Sequence, residues 1–123
     1  MASDVYMSSA IREGLNLYPL EYVYTRGNRA GSKSSPAGVV ITSEFSTVTT
    51  ILNGALRINP FDVVKSADTL DKALSMSRRE KEGRRARDLA FVSSNCSSEW
   101  SRKVMADLME ASGQAGFGGR ELR

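Results

Sequence analysis

Val39-Val40-Ile41 places three β-branched residues in a row between Gly38 and Thr42. A half-buried strand alternates apolar and polar residues, whereas an unbroken β-branched run belongs to a strand covered on both faces, as in a parallel sheet. Upstream, residues 4–8, Asp-Val-Tyr-Met-Ser, read as a second short strand, so close to residue 1 that the chain reads as opening mid-fold. Between the two strands lie a polar turn from Ser9 to Gly14 and a helix from Leu17, with Leu20, Val23 and Tyr24 on one face and Pro19 in its first turn. Gly27 to Pro36 is rich in breakers and small polar residues and predicts a flexible surface loop.

Downstream, Glu44 to Asn53 supports two readings. Val48, Thr49, Thr50 and Ile51 favour a strand, whereas Phe45, Val48 and Leu52 fall at helical spacing before Gly54, and a helix is the expectation. Ala55 to Ile58 supplies a third strand, stopped at Asn59-Pro60 because proline brings no amide hydrogen to a ladder. Asp62 is placed to cap a helix with an apolar stripe of Val63, Ala67, Leu70 and Leu74, while Lys65, Asp68, Asp71 and Lys72 face water. The charged segment Ser77 to Val92 and the segment Ser97 to Ala111, with Trp100, Val104 and Leu108, predict two further helices. This order is half of an open α/β sheet with right-handed crossovers: a partial doubly wound parallel sheet with a helical C-terminus. Its ligand crevice would lie beyond the carboxyl ends of the strands, in the loops that begin at Ser8, Thr42 and Asn59.

Bulk properties narrow the chemistry. The 123 residues suit one domain with a modest core, and 41% apolar with 25% charged residues is an ordinary globular composition. Seventeen Lys+Arg against fourteen Asp+Glu give a net charge of +3, which suits a phosphate-bearing small molecule and is too small for a nucleic-acid binder. Cys96 is the only cysteine, so no intramolecular disulfide can form and a reducing, cytoplasmic location is expected. No apolar run reaches the roughly 20 residues of a membrane span, and Met1-Ala2-Ser3-Asp4 lacks the order of a secretory signal. Histidine is absent, which removes the usual proton shuttle, the Ser/His and Cys/His pairs and the commonest metal ligand; no metal is expected. The cluster Arg78, Arg79, Lys81, Arg84, Arg85 and Arg87 is diluted by Glu80, Glu82 and Asp88 and reads as a solvated face.

The first crevice loop runs Arg12-Glu13-Gly14-Leu15-Asn16-Leu17-Tyr18-Pro19-Leu20-Glu21. It places a glycine and free amides just before a helix, whose amino end carries partial positive charge and suits a diphosphate. Gly14 lets backbone approach a ligand, Asn16 and Leu17 offer amides, Glu13 can accept from sugar hydroxyls, and Glu21 from a ribose. By itself, Arg12-Glu13-Gly14 better suits a plain strand-to-helix turn with Gly14 left-handed and Glu13 solvated.

The loop resembles the Arg-Asp-Gly-Met-Asn-Leu-Val-x-x-Glu signature of trehalose-6-phosphate synthases. Ser43-Glu44-Phe45 and Leu52-Asn53-Gly54-Ala55-Leu56-x-x-Asn59-Pro60 follow in the family's order. The resemblance runs from about Asp4 to Ala111. It implies a retaining glycosyltransferase of two Rossmann-like domains, the GT-B arrangement, with residues 1–111 as the back half of the donor-binding domain and 112–123 as a flexible Gly-rich tail. The implied reaction moves glucose from UDP-glucose to glucose 6-phosphate with retention, giving trehalose 6-phosphate, with UDP-glucose as substrate and no cofactor. Glu13 is the implied catalytic carboxylate that holds the donor sugar, Gly14, Leu15, Asn16 and Leu17 line the diphosphate, and Glu21 matches the ribose-binding glutamate; Glu44 and Phe45 border the pocket.

Two departures stand out: Glu13 replaces the commoner aspartate, one methylene shorter, and Tyr18-Pro19 replaces Val-Ala or Val-Ser, with Tyr18 expected to offer only its amide. The family's acceptor-binding domain and the basic pair that grips the diphosphate have no counterpart in these residues, so the isolated chain is expected to be inactive. A missing N-terminal synthase domain or another synthase subunit is the implied partner. The alternative is a non-catalytic regulatory or interaction subunit, for which the stripe of Trp100, Val104 and Leu108 would serve as a contact surface.

Overall fold

A computed structural model describes residues 3–28 and 37–115. Strands β1 (Val5–Ser8), β2 (Val39–Ser43) and β3 (Leu56–Ile58) alternate with helices α1 (Tyr18–Asn28), α2 (Val48–Ile51) and α3 (Val63–Ser75), and α4 (Arg78–Ser94) and α5 (Ser97–Ala115) follow. The strands form one sheet in the order β1-β2-β3. Both pairings are parallel, running from Val5 opposite Val39 to Ser8 opposite Thr42, and from Ile41 opposite Leu56 to Ser43 opposite Ile58.

The central strand is buried at all five positions, as its β-branched run predicts. Period-two alternation then sends its side chains into two separate cores. Val40 packs with Tyr22 and Val23 of α1 and with Val48 and Leu52, and Leu89 and Val92 of α4 close this layer. Val39, Ile41 and Ile58 pack against Ala73 and Met76, with Leu70 at the margin. α3 thus covers one face of the sheet, while α1, α2 and α4 cover the other. Gly38 is required just before β2 because the Tyr22 hydroxyl, which donates to the Ser3 carbonyl at 2.9 Å, occupies the space a β-carbon would need.

Three local expectations are corrected. The helix read over Glu44 to Asn53 is a single turn, since the Thr49 hydroxyl donates to the Ser43 carbonyl at 2.5 Å and faces the Thr42 hydroxyl at 3.2 Å, folding Glu44 to Thr47 into a turn. β-Branched residues with hydroxyls that compete for backbone partners are poor helix extenders. In α3, Asp62 caps as expected, its carboxylate accepting from the Lys65 amide at 3.0 Å. The buried residues, however, are Ala73 and Met76, and of the expected stripe only Leu70 is half-buried beside them, while Val63, Ala67 and Leu74 are exposed. Two adjacent apolar stripes satisfy the same helical spacing here, and packing on Ile41 and Ile58 selects the one farther along.

The arginine-rich segment is the third case. Arg84 on α4 reaches the Gly54 carbonyl at 3.1 Å while also binding Glu80 at 3.0 Å, and Asp88, almost fully buried, accepts from the Gly54 amide at 2.6 Å. A β-carbon on Gly54 would fall 2.5 Å from both the Arg84 carbonyl oxygen and the Asp88 carboxylate, so α4 can dock only on a glycine. Burial raises the Asp88 carboxyl above its ordinary value, opposed by the Gly54 amide and by Arg87 and Arg84. Part of this basic face is therefore a docking surface for the turn before β3.

The chain divides into two compact units, Met1–Ser93 with the sheet and both cores, and Ser94–Arg123 with α5. α5 exposes Trp100, Val104, Met105, Leu108 and Met109. It continues to Ala115, and the rest of the segment read as a Gly-rich tail lies outside the described residues, as does most of the loop read over Gly27 to Pro36. No described helix is long and apolar enough to cross a membrane.

Candidate functional site

Three segments leave the carboxyl ends of the strands: Ser9 to Leu17 after β1, Glu44 to Thr47 after β2, and Asn59 to Asp62 after β3. The first carries most of the polar groups expected to bind a ligand. Gly14, Leu15 and Leu17 are exposed and Asn16 is half-buried. Among the described residues, the amides of Gly14, Leu15, Asn16 and Leu17 have no acceptor. The space above Gly14 is open, and its φ is not the left-handed one that the plain-turn account expects of it. The loop is held by its own side chains: Asn16 accepts from the Tyr18 amide at 3.0 Å through Oδ1, starting α1, and donates to Glu13 Oε2 at 3.2 Å through Nδ2.

Glu13 does not project freely into solvent. Its other oxygen, Oε1, accepts from the Ser46 hydroxyl at 2.7 Å, a bond between residues 33 apart in sequence that ties the first crevice loop to the second. Ser46 is nearly wholly buried, fixed by its own amide to the Ser43 carbonyl at 3.0 Å. Each carboxylate oxygen has one partner and can accept another, so the group keeps capacity for hydroxyl donors while its orientation is set.

Glu21 lies one turn into α1 and lines a cavity of about 260 Å³ with Tyr6, Tyr18, Tyr22 and Thr25. Glu13 is not in that lining, yet Tyr6, which is, lies near enough to Asn16 and Glu13 for both to act on its hydroxyl. Burial pushes the Tyr6 hydroxyl above its ordinary value, with the Asn16 contact opposing. Tyr18 offers more than the expected amide: that amide is taken by Asn16, and its ring forms a wall beside Glu21. Ser46, Tyr6 and the Tyr18 ring went unmarked in the sequence. Only the aromatic at position 18 carried a local signal, because the other two reach the site through strand register and a turn.

A second cavity, of about 460 Å³, lies beyond the carboxyl ends of β2 and β3, lined by Glu44, Arg57, Asn59, Asp62, Lys65 and Asp68 among others. Three of its charged groups are engaged: Lys65 pairs with Asp62 at 3.2 Å and Arg57 donates to the Thr49 carbonyl at 3.1 Å. Glu44 belongs to this cavity, and Phe45 meets Phe61 edge-on, ring centres 5.9 Å apart. Among the described residues no three metal-ligating side chains gather.

Residues 1–110 match the model of glycosyltransferase family 20. The probable UDP-forming alpha,alpha-trehalose-phosphate synthase 7 of Arabidopsis thaliana is 38% identical over 110 residues, covering 86% of this chain and 13% of that protein. The UDP-forming synthase 2 of Aspergillus fumigatus is 32% identical over 111 residues, covering 90% and 22%. The alpha,alpha-trehalose 6-phosphate synthase structure from Burkholderia multivorans superposes with a TM-score of 0.76 at 36% identity, over 92% of this chain and 23% of that one. The Escherichia coli structure bound with UDP-2-fluoro glucose gives 0.72 at 35%, over 86% and 22%. This chain therefore spans under a quarter of the length of each of these relatives. Matched in sequence along nearly its whole length and in the fold of its partial Rossmann-like sheet, the chain belongs to glycosyltransferase family 20, the family of the trehalose-6-phosphate synthases.

Proposed function

We propose that residues 1–111 are part of the donor-binding domain of a UDP-forming trehalose-6-phosphate synthase, and that they bind UDP-glucose. The observation that carries this reading is the run of amides from Gly14 to Leu17 at the start of α1, without acceptors among the described residues, next to the fixed carboxylate of Glu13. The amides and the helix end take the diphosphate, Glu13 takes hydroxyls of the glucosyl group, and Glu21 accepts from the ribose beside Tyr18. Transfer to glucose 6-phosphate with retention would rest on electrostatic placement of the departing diphosphate. The reading requires no cofactor.

The relatives are several times longer, and this reading puts the acceptor side of the cleft outside these residues. The 123-residue chain alone is thus expected to bind donor weakly and to turn nothing over. A helix end contributes about 0.3–1 kcal/mol to an exposed anion, so even with amide bonds a millimolar Kd, equivalent to about 4 kcal/mol, is the expected scale. Calorimetric titration with UDP-glucose checks this: saturable heat should be lost in Glu13→Ala and Glu21→Ala. Heat equal to dilution in the parent chain at several millimolar ligand would refute the donor site.

The exposed Trp100, Val104 and Leu108 of α5 favour a second reading, a non-catalytic subunit that associates with a synthase. Sedimentation with a full-length synthase distinguishes the two: this reading requires co-migration that Trp100→Glu abolishes, and separate boundaries for the parent chain refute it.

A further inference from the structure

We propose that Ser46 is a positioning residue of the donor site, setting the Glu13 carboxylate for the glucosyl group and contributing nothing to the nucleotide. This rests on the donor-sugar reading of Glu13. A glutamate on a loop has three rotatable bonds, so a carboxylate used to recognise a sugar needs restraint if ordering it is not to be paid for at binding. Two partners supply that restraint here, and they differ in kind. Asn16, on the same loop, donates to Oε2 at 3.2 Å and moves with the loop. Ser46 donates to Oε1 at 2.7 Å from the turn after β2, where it is almost fully buried.

That turn is itself rigid. The Ser46 amide donates to the Ser43 carbonyl at 3.0 Å, the Ser46 carbonyl accepts from the Thr49 amide at 3.1 Å, and the Thr49 hydroxyl closes back on Ser43 at 2.5 Å. The serine hydroxyl is therefore fixed to the central strand, and through it the Glu13 carboxylate is referenced to the sheet as well as to its own loop. A short hydroxyl-to-carboxylate bond is charge-assisted and directional. It leaves one acceptor direction on each oxygen, the arrangement that receives a pair of neighbouring hydroxyls. A nucleoside diphosphate without its sugar offers Glu13 no such pair, so the effect of Ser46 should appear only with the glycosylated ligand.

The experiment compares UDP and UDP-glucose on the 123-residue chain and its Ser46→Ala variant, with binding followed through the amide resonances of Gly14 to Leu17. Loss of a charge-assisted bond predicts about 10-fold weaker UDP-glucose binding, with UDP changed by less than about twofold. Equal weakening of both ligands, or no weakening of UDP-glucose, overturns the proposal. Should the parent chain bind neither ligand, the donor reading itself fails. The bridge is judged separately in the free chain, where Ser46→Ala should displace the amide resonances of Glu13 to Leu17, and Glu13→Gln those of Ser46 to Thr49. Unmoved resonances across the crevice, in variants whose remaining spectrum is native, would show that no such bridge forms.

Discussion

Gly54 shows what a single residue can hide. Read along the chain it is a helix stop, yet its function comes from 30 residues downstream, where Arg84 and Asp88 grip its carbonyl and amide. Gly54→Ala must push against the Arg84 backbone, which cannot rotate away, so it should cost about 1–3 kcal/mol as an overpacked site, measured as a lower urea midpoint. Asp88 gives a sharper test. Its folded-state proton affinity is raised by burial, so between the ordinary carboxylate value of 3.8 and its higher folded value the native state binds more protons than the unfolded. Stability from this group is therefore gained as pH falls through that window and lost as it rises. Asp88→Asn keeps an oxygen for the Gly54 amide without the buried charge. Its stability relative to the parent should be greatest above the folded value and decline on acidification, which denaturation series from pH 7 to pH 4 would reveal. Glu13 teaches the same lesson at the site: its residue type and place in the loop were legible, but its tie to Ser46 depends on a turn 33 residues away and has no local signature.

Among the elements, legibility follows how much of each is locally determined. β2 was readable because three β-branched residues permit little besides a doubly covered strand, and the start of α3 because Asp62 supplies the cap from within the motif. What failed in α3 was its rotation: Val63 and Leu74 are apolar but exposed, and only packing on β2 and β3 turns Leu70, Ala73 and Met76 inward. Exchanges on the two stripes should therefore be unequal. Ala73→Leu adds bulk to a wholly buried position and should cost about 1–3 kcal/mol, whereas Leu74→Ala, on the exposed stripe, should stay within about 0.5 kcal/mol of the parent. Equal losses in thermal unfolding would put the helix in its sequence-read orientation. The cap is pH-dependent in the opposite sense to Asp88. The Lys65 amide and ammonium hold the Asp62 carboxyl below its ordinary value, so its contribution is present above 3.8 and disappears as pH falls through the lower folded value. Asp62→Ala should accordingly differ from the parent at neutral pH and converge with it in strong acid.

For the whole molecule, the distribution of buried surface locates the cooperative unit. Every buried apolar residue among those described, from Pro19 to Met76, precedes Ser93, as do the partly buried Leu89 and Val92 that close the first core. The crevice loops lie in the same stretch, from Ser9 to Asp62. A chain ended after Ser93 should therefore keep a single cooperative urea transition, because it retains both cores. Its m-value should fall in proportion to the smaller surface exposed on unfolding. The amide resonances of Gly14 to Leu17 should stay where they are in the 123-residue chain, and their response to UDP-glucose should be unchanged. A broad, non-cooperative transition would mean that the sheet relies on residues 94–123 for its order. Loss of the ligand response with a native transition would instead place part of the donor site in that second unit.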